Sequence, residues 1–196
     1  MSEPWLVAGL GNPGDRYART RHNAGAMVVE ELARRFEGKL KKVRTISVMA
    51  AEARYESVAL LLVTPTGFMN ECGPPIASFA RKRGVPVERV VACHDDIDLA
   101  FGAIRIKQGG STAGHHGLDS MVGAFHSADF YRVRLGIGRP RGRWENVDFL
   151  LEPFAKRELD DVAIMVGEAA DAVLSLVANG LSVTQSRYTK GGIRQT

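Results

Sequence analysis

A histidine that can take a proton, and an acid that holds that histidine, form the simplest pair for general acid–base chemistry. Two stretches of this chain carry such residues. Thr20-Arg21-His22-Asn23-Ala24-Gly25 sets a histidine and an amide where a helix is expected to begin. Histidine ordinarily titrates at about pH 6.5, which suits proton transfer near neutrality. Cys93-His94-Asp95-Asp96-Ile97-Asp98 follows the apolar run Val90-Val91-Ala92. Acids at the C-terminal end of a buried strand point into the crevice where open α/β sheets bind ligands. One acid of this stretch is expected to orient a histidine and fix its tautomer. The competing chemistry is a metallohydrolase with His94, Asp95, Asp96, Asp98, His115 and His116 as ligands. No usual ligand spacing such as H-E-x-x-H supports it.

Two glycine-rich stretches suggest other chemistry and fail on inspection. Gly9-Leu10-Gly11-Asn12-Pro13-Gly14 matches G-x-G-x-x-G after a strand. In a dinucleotide site the helix opens inside the glycine turn, so that its amides face a pyrophosphate. Pro13 removes an amide, Asp15-Arg16-Tyr17 delays the helix, and the acid expected about 20 residues on is missing, since Glu30 and Glu31 fall inside the next helix. The glycines still permit a sharp turn at the strand's end. Gly109-Gly110-Ser111-Thr112-Ala113 misses the G-x-S-x-G elbow at its last position and lies past the end of its strand, so a serine acyl-enzyme is not expected.

The elements that must position these residues read as follows. Trp5 to Leu10 is a buried strand, and a helix spans 23–36. Strands at 43–54 and 58–64 form a hairpin around Tyr55-Glu56. A helix at 76–83 opens on Pro74-Pro75 and stops at Gly84. Val90 to Cys93 is a central strand, 103–107 another, and 132–137 a third that alternates basic and apolar residues. Helices are expected at 117–125, 158–179 and 182–188, with a basic loop at 139–144. Strands alternating with helices predict an α/β fold: a single domain, 1–196, with a mixed, mostly parallel central sheet flanked by helices.

Composition agrees with a globular chain. The 196 residues are 45% hydrophobic and 24% charged, with a net charge of +4 and a pI near 9.3. That is a mild tilt toward polyanions. Its candidate clusters are Lys39-Leu40-Lys41-Lys42, Arg81-Lys82-Arg83, Arg139 with Arg141 and Arg143, and Arg187, Lys190 and Arg194. No apolar run approaches the roughly 20 residues of a membrane span, and Met1 to Trp5 carries no signal-peptide pattern. Cys72 and Cys93 have no metal-type spacing and fit reduced thiols in the cytoplasm.

Taken in order, these segments resemble bacterial peptidyl-tRNA hydrolase over nearly the whole chain. The resemblance rests on Gly9 to Gly14 with Tyr17, on Thr20 to Gly25, and on Pro65-Thr66-Gly67-Phe68-Met69-Asn70. His94-Asp95 with Asp98, His115 before Gly117-Leu118, and Arg132 to Gly138 complete it. It implies a monomeric cytoplasmic enzyme that needs no metal or cofactor. The reaction implied is hydrolysis of the ester between a peptide and the 3′-terminal ribose of tRNA. The resemblance places the catalytic base at His22, its supporting acid at Asp95, and the amide that tells N-blocked from free substrates at Asn12. Tyr17, Phe68 and Asn70 fall at contacts to the tRNA 3′ end, with Asn70 or Asn12 a donor to water or oxyanion. Lys107 and Arg134 fall where basic residues grip the acceptor stem. His116 stands where the family has a substrate-binding asparagine, and histidine offers one hydrogen-bond donor in place of the amide's donor and acceptor. The rival reading is a non-catalytic RNA-binding protein on the same scaffold, against which the intact His22, Asp95, Asn12 and Asn70 speak.

Overall fold

The computed structural model describes residues 3–140 and 146–188. The strands are β1 (Trp5–Gly9), β2 (Lys41–Lys42), β3 (Val48–Tyr55), β4 (Val58–Pro65), β5 (Val90–Asp96), β6 (Ile104–Gln108) and β7 (Tyr131–Gly136). They form one sheet in the order β2-β3-β4-β1-β5-β7-β6. The four inner strands β4, β1, β5 and β7 are mutually parallel. The edges are antiparallel: β2 and β3 on one side, β6 on the other. The expected mixed sheet with a parallel centre is therefore present. Every residue of β1 beyond Trp5 is buried, as is β5 up to Asp95, because helices cover both faces.

On one face α1 (Ala24–Arg35) and α5 (Leu159–Asn179) pack through Val28, Leu32, Met165 and Val173 onto Val7, Leu62, Val91 and Val133, and α6 (Leu181–Tyr188) lies along β6. On the other face α2 (Gly73–Lys82) and α3 (His116–Phe125) pack through Ile76, Phe79, Leu118 and Met121 onto Leu6, Ala8, Val63 and Ala92. Each of those side chains other than the two alanines contributes roughly 1.5–3 kcal/mol by leaving water.

Three expectations needed correction. The strand expected at 43–54 starts only at Val48, because Val43 N–H donates to Val48 O and Val48 N–H to Ile46 O, closing a tight turn that pairs Lys41–Lys42 with Met49 and Ala50. The helix expected from residue 76 already begins at Gly73, with prolines in its first turn, where the missing N–H costs nothing. The basic loop keeps Arg139 and Pro140 within the described residues, while 141–145 lie outside them, and Asn146–Leu151 forms a short helix α4 that the sequence reading did not include. Lys190 and Arg194 also lie outside the described residues.

Candidate active site

The C-terminal ends of β1, β4 and β5 open into a cavity of about 480 Å³ lined by Asn12, His22, Asn70, Asp95, His115 and His116, among others. That volume is typical of small-molecule sites. Its position follows from the parallel centre, since all these strands end on the same side.

His22 sits on a single 3-10 turn, Arg21–Asn23, that precedes α1. The turn is brought to β5 by glycine. A Cβ on Gly25 would lie 1.9 Å from Cys93 O, and one on Gly9 2.6 Å from Gly25 O. Only bare backbone lets α1 come this close. The helix thus starts well after the glycine turn, as the argument against a dinucleotide site required.

At that distance His22 Nδ1 reaches Asp95, 2.9 Å from Oδ1 and 3.0 Å from Oδ2. Nδ1–H donates, and Nε2 has no partner among the described residues. Asp95 is 2% exposed. Burial opposes its ionisation, but the facing His115 and His22 hold its carboxyl below the usual carboxylate range. His115 Nε2 also lies 3.0 Å from Asp95 Oδ1. His94 hydrogen-bonds the backbone carbonyl of Asp95 through Nδ1 at 2.7 Å. Burial pushes the His94 imidazole down to about 3, so it is a neutral ring at physiological pH.

The neighbours of His22 are pinned by contacts that no local pattern announces. Arg21 is buried and donates to Pro153 O at 2.8 Å and to the Glu158 carboxylate at 2.7 Å, with its guanidinium over Phe149 and Phe154. The segment after α4 is thereby tied to the turn that carries His22. The Asn23 side chain accepts from Asn12 N–H and donates to Asn12 O, both at 2.9 Å, and fixes the loop after β1. Asn12 Oδ1 accepts from Met69 N–H at 2.8 Å. The Asn12 amide nitrogen is the end left for the cavity.

The other expected residues fall around this centre. Tyr17 and Phe68 form an edge-on aromatic pair with centroids 6.4 Å apart, and Phe68 is 53% exposed. Asn70 and His116 are exposed on the cavity wall. Lys107 and Arg134 lie on β6 and β7, where Lys107 faces Arg132 and Arg105 faces Arg134 across the strands. Such like-charge pairs destabilise a sheet. Burial and the nearby Arg134 and Arg132 lower the pKa of Lys107. Arg134 is engaged with Asp96 at 2.8 Å, and Asp98 pairs with Arg139. Two of the three acids near His94 are thus spent on arginines. Arg132, read as part of an alternating strand, is wholly buried and holds the loop carbonyls of Ser111 and Gly110 at 2.6 and 2.8 Å.

Of the six residues weighed as metal ligands, Asp95 and His115 belong, with His22, to one group whose ligand-type atoms lie within 4.8 Å of one another. Their facing atoms are already paired as N–H donors and carboxylate acceptors, an arrangement suited to moving a proton. The residues that sequence reasoning missed are Arg21, Asn23 and His115 as partners within the site. The sequence grouped His115 with Asp95 only as candidate metal ligands, and nothing in it announced their hydrogen bond.

A family model described as peptidyl-tRNA hydrolase matches residues 6–195. Named peptidyl-tRNA hydrolases of Kineococcus radiotolerans and Mycobacterium avium are each 44% identical, over 96% and 95% of this chain and 98% of theirs. The crystal structure of the Acinetobacter baumannii peptidyl-tRNA hydrolase superimposes with a TM-score of 0.89 at 30% identity, over 98% of this chain and 97% of that one. With the His22–Asp95 pair at the mouth of the parallel strands and these matches along nearly the whole length, the chain belongs to the peptidyl-tRNA hydrolase family.

Proposed function

We propose that this chain hydrolyses the ester between a peptide, or an N-blocked amino acid, and the 3′-terminal ribose of tRNA, with His22 as general base. The observation that carries the reading is the occupied Nδ1 of His22, 2.9 Å from Asp95, which leaves Nε2 to accept a proton from water. The hydroxide so formed attacks the ester carbonyl. The imidazolium, stabilised by Asp95, then returns its proton to the departing ribose oxygen. Free tRNA and the peptide acid leave. Asn70 and Asn12 supply N–H donors to the water, the peptide or the oxyanion, and one such donor contributes about 3 kcal/mol.

Asn12 also provides a physical basis for refusing unblocked substrate. Its Oδ1 is spent on Met69 N–H, so it presents a donor. An acylated amine offers a carbonyl to that donor. A free ammonium offers only N–H and meets an unpaired donor instead, which costs about 1–3 kcal/mol when desolvated.

Tyr17 and Phe68 are platforms for the unstacked 3′ end, as aromatic rings are for single-stranded bases. His116 supplies one ring donor on the same wall. Lys107 and Arg134 take the acceptor-stem phosphates, in a cluster where Lys107, Arg132 and Arg134 gather around Asp96. The reaction uses one chain and no metal, in the cytoplasm. The cytoplasm suits two unpaired buried thiols, Cys72 and Cys93, and among the described residues no helix is long and apolar enough to cross a membrane.

The test is release of a labelled N-acetylaminoacyl group from tRNA in excess EDTA, beside the unblocked aminoacyl-tRNA. Cleavage of the blocked substrate alone is expected, with a KM that rises steeply with salt. Tight tRNA binding without cleavage would instead make this a binding protein.

A further inference from the structure

We infer that His115 is a positioning residue: a neutral imidazole whose Nε2–H holds the Asp95 carboxylate in the orientation that His22 needs. The inference rests on the reading of His22 and Asp95 as base and acid. His115 caps α3, and its Nδ1 accepts from Gly117 N–H at 3.1 Å and from Leu118 N–H at 3.3 Å. Backbone amides only donate, so Nδ1 carries a lone pair and no proton. A protonated ring would set a third N–H against those two, at the positive end of a helix. The remaining proton of a neutral ring is on Nε2, which lies 3.0 Å from Asp95 Oδ1.

Asp95 therefore receives an N–H from each of two rings. His22 approaches both of its oxygens, so by itself that contact leaves the carboxylate free to rock about the His22 nitrogen. The second donor, arriving at Oδ1 from α3, removes that freedom. The His115 ring is itself held between two others, with centroids 5.0 Å from His22 and 4.9 Å from His94. Both of its nitrogens are occupied, so it is not a second base. The helix cap is the device: the amides of Gly117 and Leu118 choose the tautomer of His115, and that tautomer orients the acid.

Two substitutions separate the cap from the donor. In His115→Asn the side-chain oxygen still caps α3, asparagine being among the best N-caps, but nothing reaches Asp95. In His115→Gln the amide nitrogen extends to the former Nε2. The expected result is a kcat about 10–50-fold lower in the Asn variant with KM and thermal midpoint nearly unchanged, and a kcat within about fivefold of the parent in the Gln variant. A fully active Asn variant, or equal losses in both, overturns the inference. The ring nitrogens of His115 in the unmodified protein give a second, independent readout. Nitrogen-15 NMR is expected to find Nε2 protonated and Nδ1 bare at neutral pH, and the opposite tautomer or an imidazolium overturns the inference even if a variant fails to fold. An inactive protein with the Nε2–H tautomer would count against the proposed function alone. An active one with the other tautomer would count against His115 alone.

Discussion

At the bottom of the cavity His22, His94 and Asp95 are 6%, 3% and 2% exposed, while at its mouth Phe68 is 53% exposed and Asn70 and His116 stand in solvent. The floor is built from strand ends and the 3-10 turn before α1, and most of its polar atoms have fixed partners among the described residues, His22 Nε2 and His94 Nε2 excepted. The rim is built from Phe68, the 3-10 turn that follows it and the first residue of α3, whose exposed side chains have few. The floor's geometry is over-determined, which suits a group that must act at one place. The rim is adaptable, which suits a ligand that arrives with its own shape. Removing a floor residue should thus change the rate, and removing a rim residue should change binding.

The largest effect is expected for His22→Ala, with kcat down at least about 100-fold, the usual contribution of a general base. Steady-state cleavage of N-acetylaminoacyl-tRNA measures it, and retained turnover would remove His22 from the mechanism.

Gly25→Ala should come next, without touching any reacting group. The added methyl meets Cys93 O, so α1 must retreat from β5 and carry His22 away from Asp95. A displacement near 1 Å can cost up to about 100-fold in rate, and overpacking costs about 1–3 kcal/mol of stability. Both kcat and the denaturant midpoint should fall. Unchanged kcat at a lowered midpoint would mean that the His22–Asp95 contact tolerates the shift.

The same contrast between floor and rim explains what could be read from the sequence. Val90 to Cys93 stands out as a buried strand because it is a continuous apolar run, and the acids after it are then bound to project into the crevice. Helix α5 is legible because 21 residues sustain a helical period. His22 and Asp95 stand beside such elements, so their neighbourhood was legible, while the choice of this pair rested on the family resemblance. The clamp of Arg21 on Glu158 spans 137 positions, and the contact of His115 with Asp95 depends on how α3 docks. No periodicity reports either. Helix α4 has six residues, less than two turns, too short to display an amphipathic pattern. The turn at 43–47 was hidden because Val43 and Ile46 look like strand residues, whereas their hydrogen bonds close a loop.

Phe68→Ala tests the rim. An aromatic platform contributes about 1–3 kcal/mol per stacked base, so KM should rise about tenfold, or roughly 1.4 kcal/mol, with kcat nearly constant. A fall in kcat at constant KM would place Phe68 in the floor's business and erase the distinction.

The smallest effect is thermodynamic and isolates what the floor costs. His94 is buried, its Nδ1–H is committed to the Asp95 carbonyl, and its Nε2 has no partner among the described residues. Burial holds the folded-state pKa at about 3, against an unfolded value near 6.5. Below pH 6.5 the unfolded chain therefore binds a proton that the folded chain refuses. Stability conferred by a neutral His94 is complete above about pH 6.5 and is lost as pH falls from there toward 3, at up to about 1.4 kcal/mol per pH unit. Glu30 works in the opposite sense, because burial raises its carboxyl. With that opposing carboxyl removed in Glu30→Gln, urea midpoints should drop from about pH 6.5 to 5.5 while the His94 ring signals in NMR stay those of the neutral form. An exposed imidazole titrates alike in both states and gives no slope. Midpoints that stay flat through this window would mean that His94 takes up its proton in the folded protein, and that the floor is wetter than its burial implies.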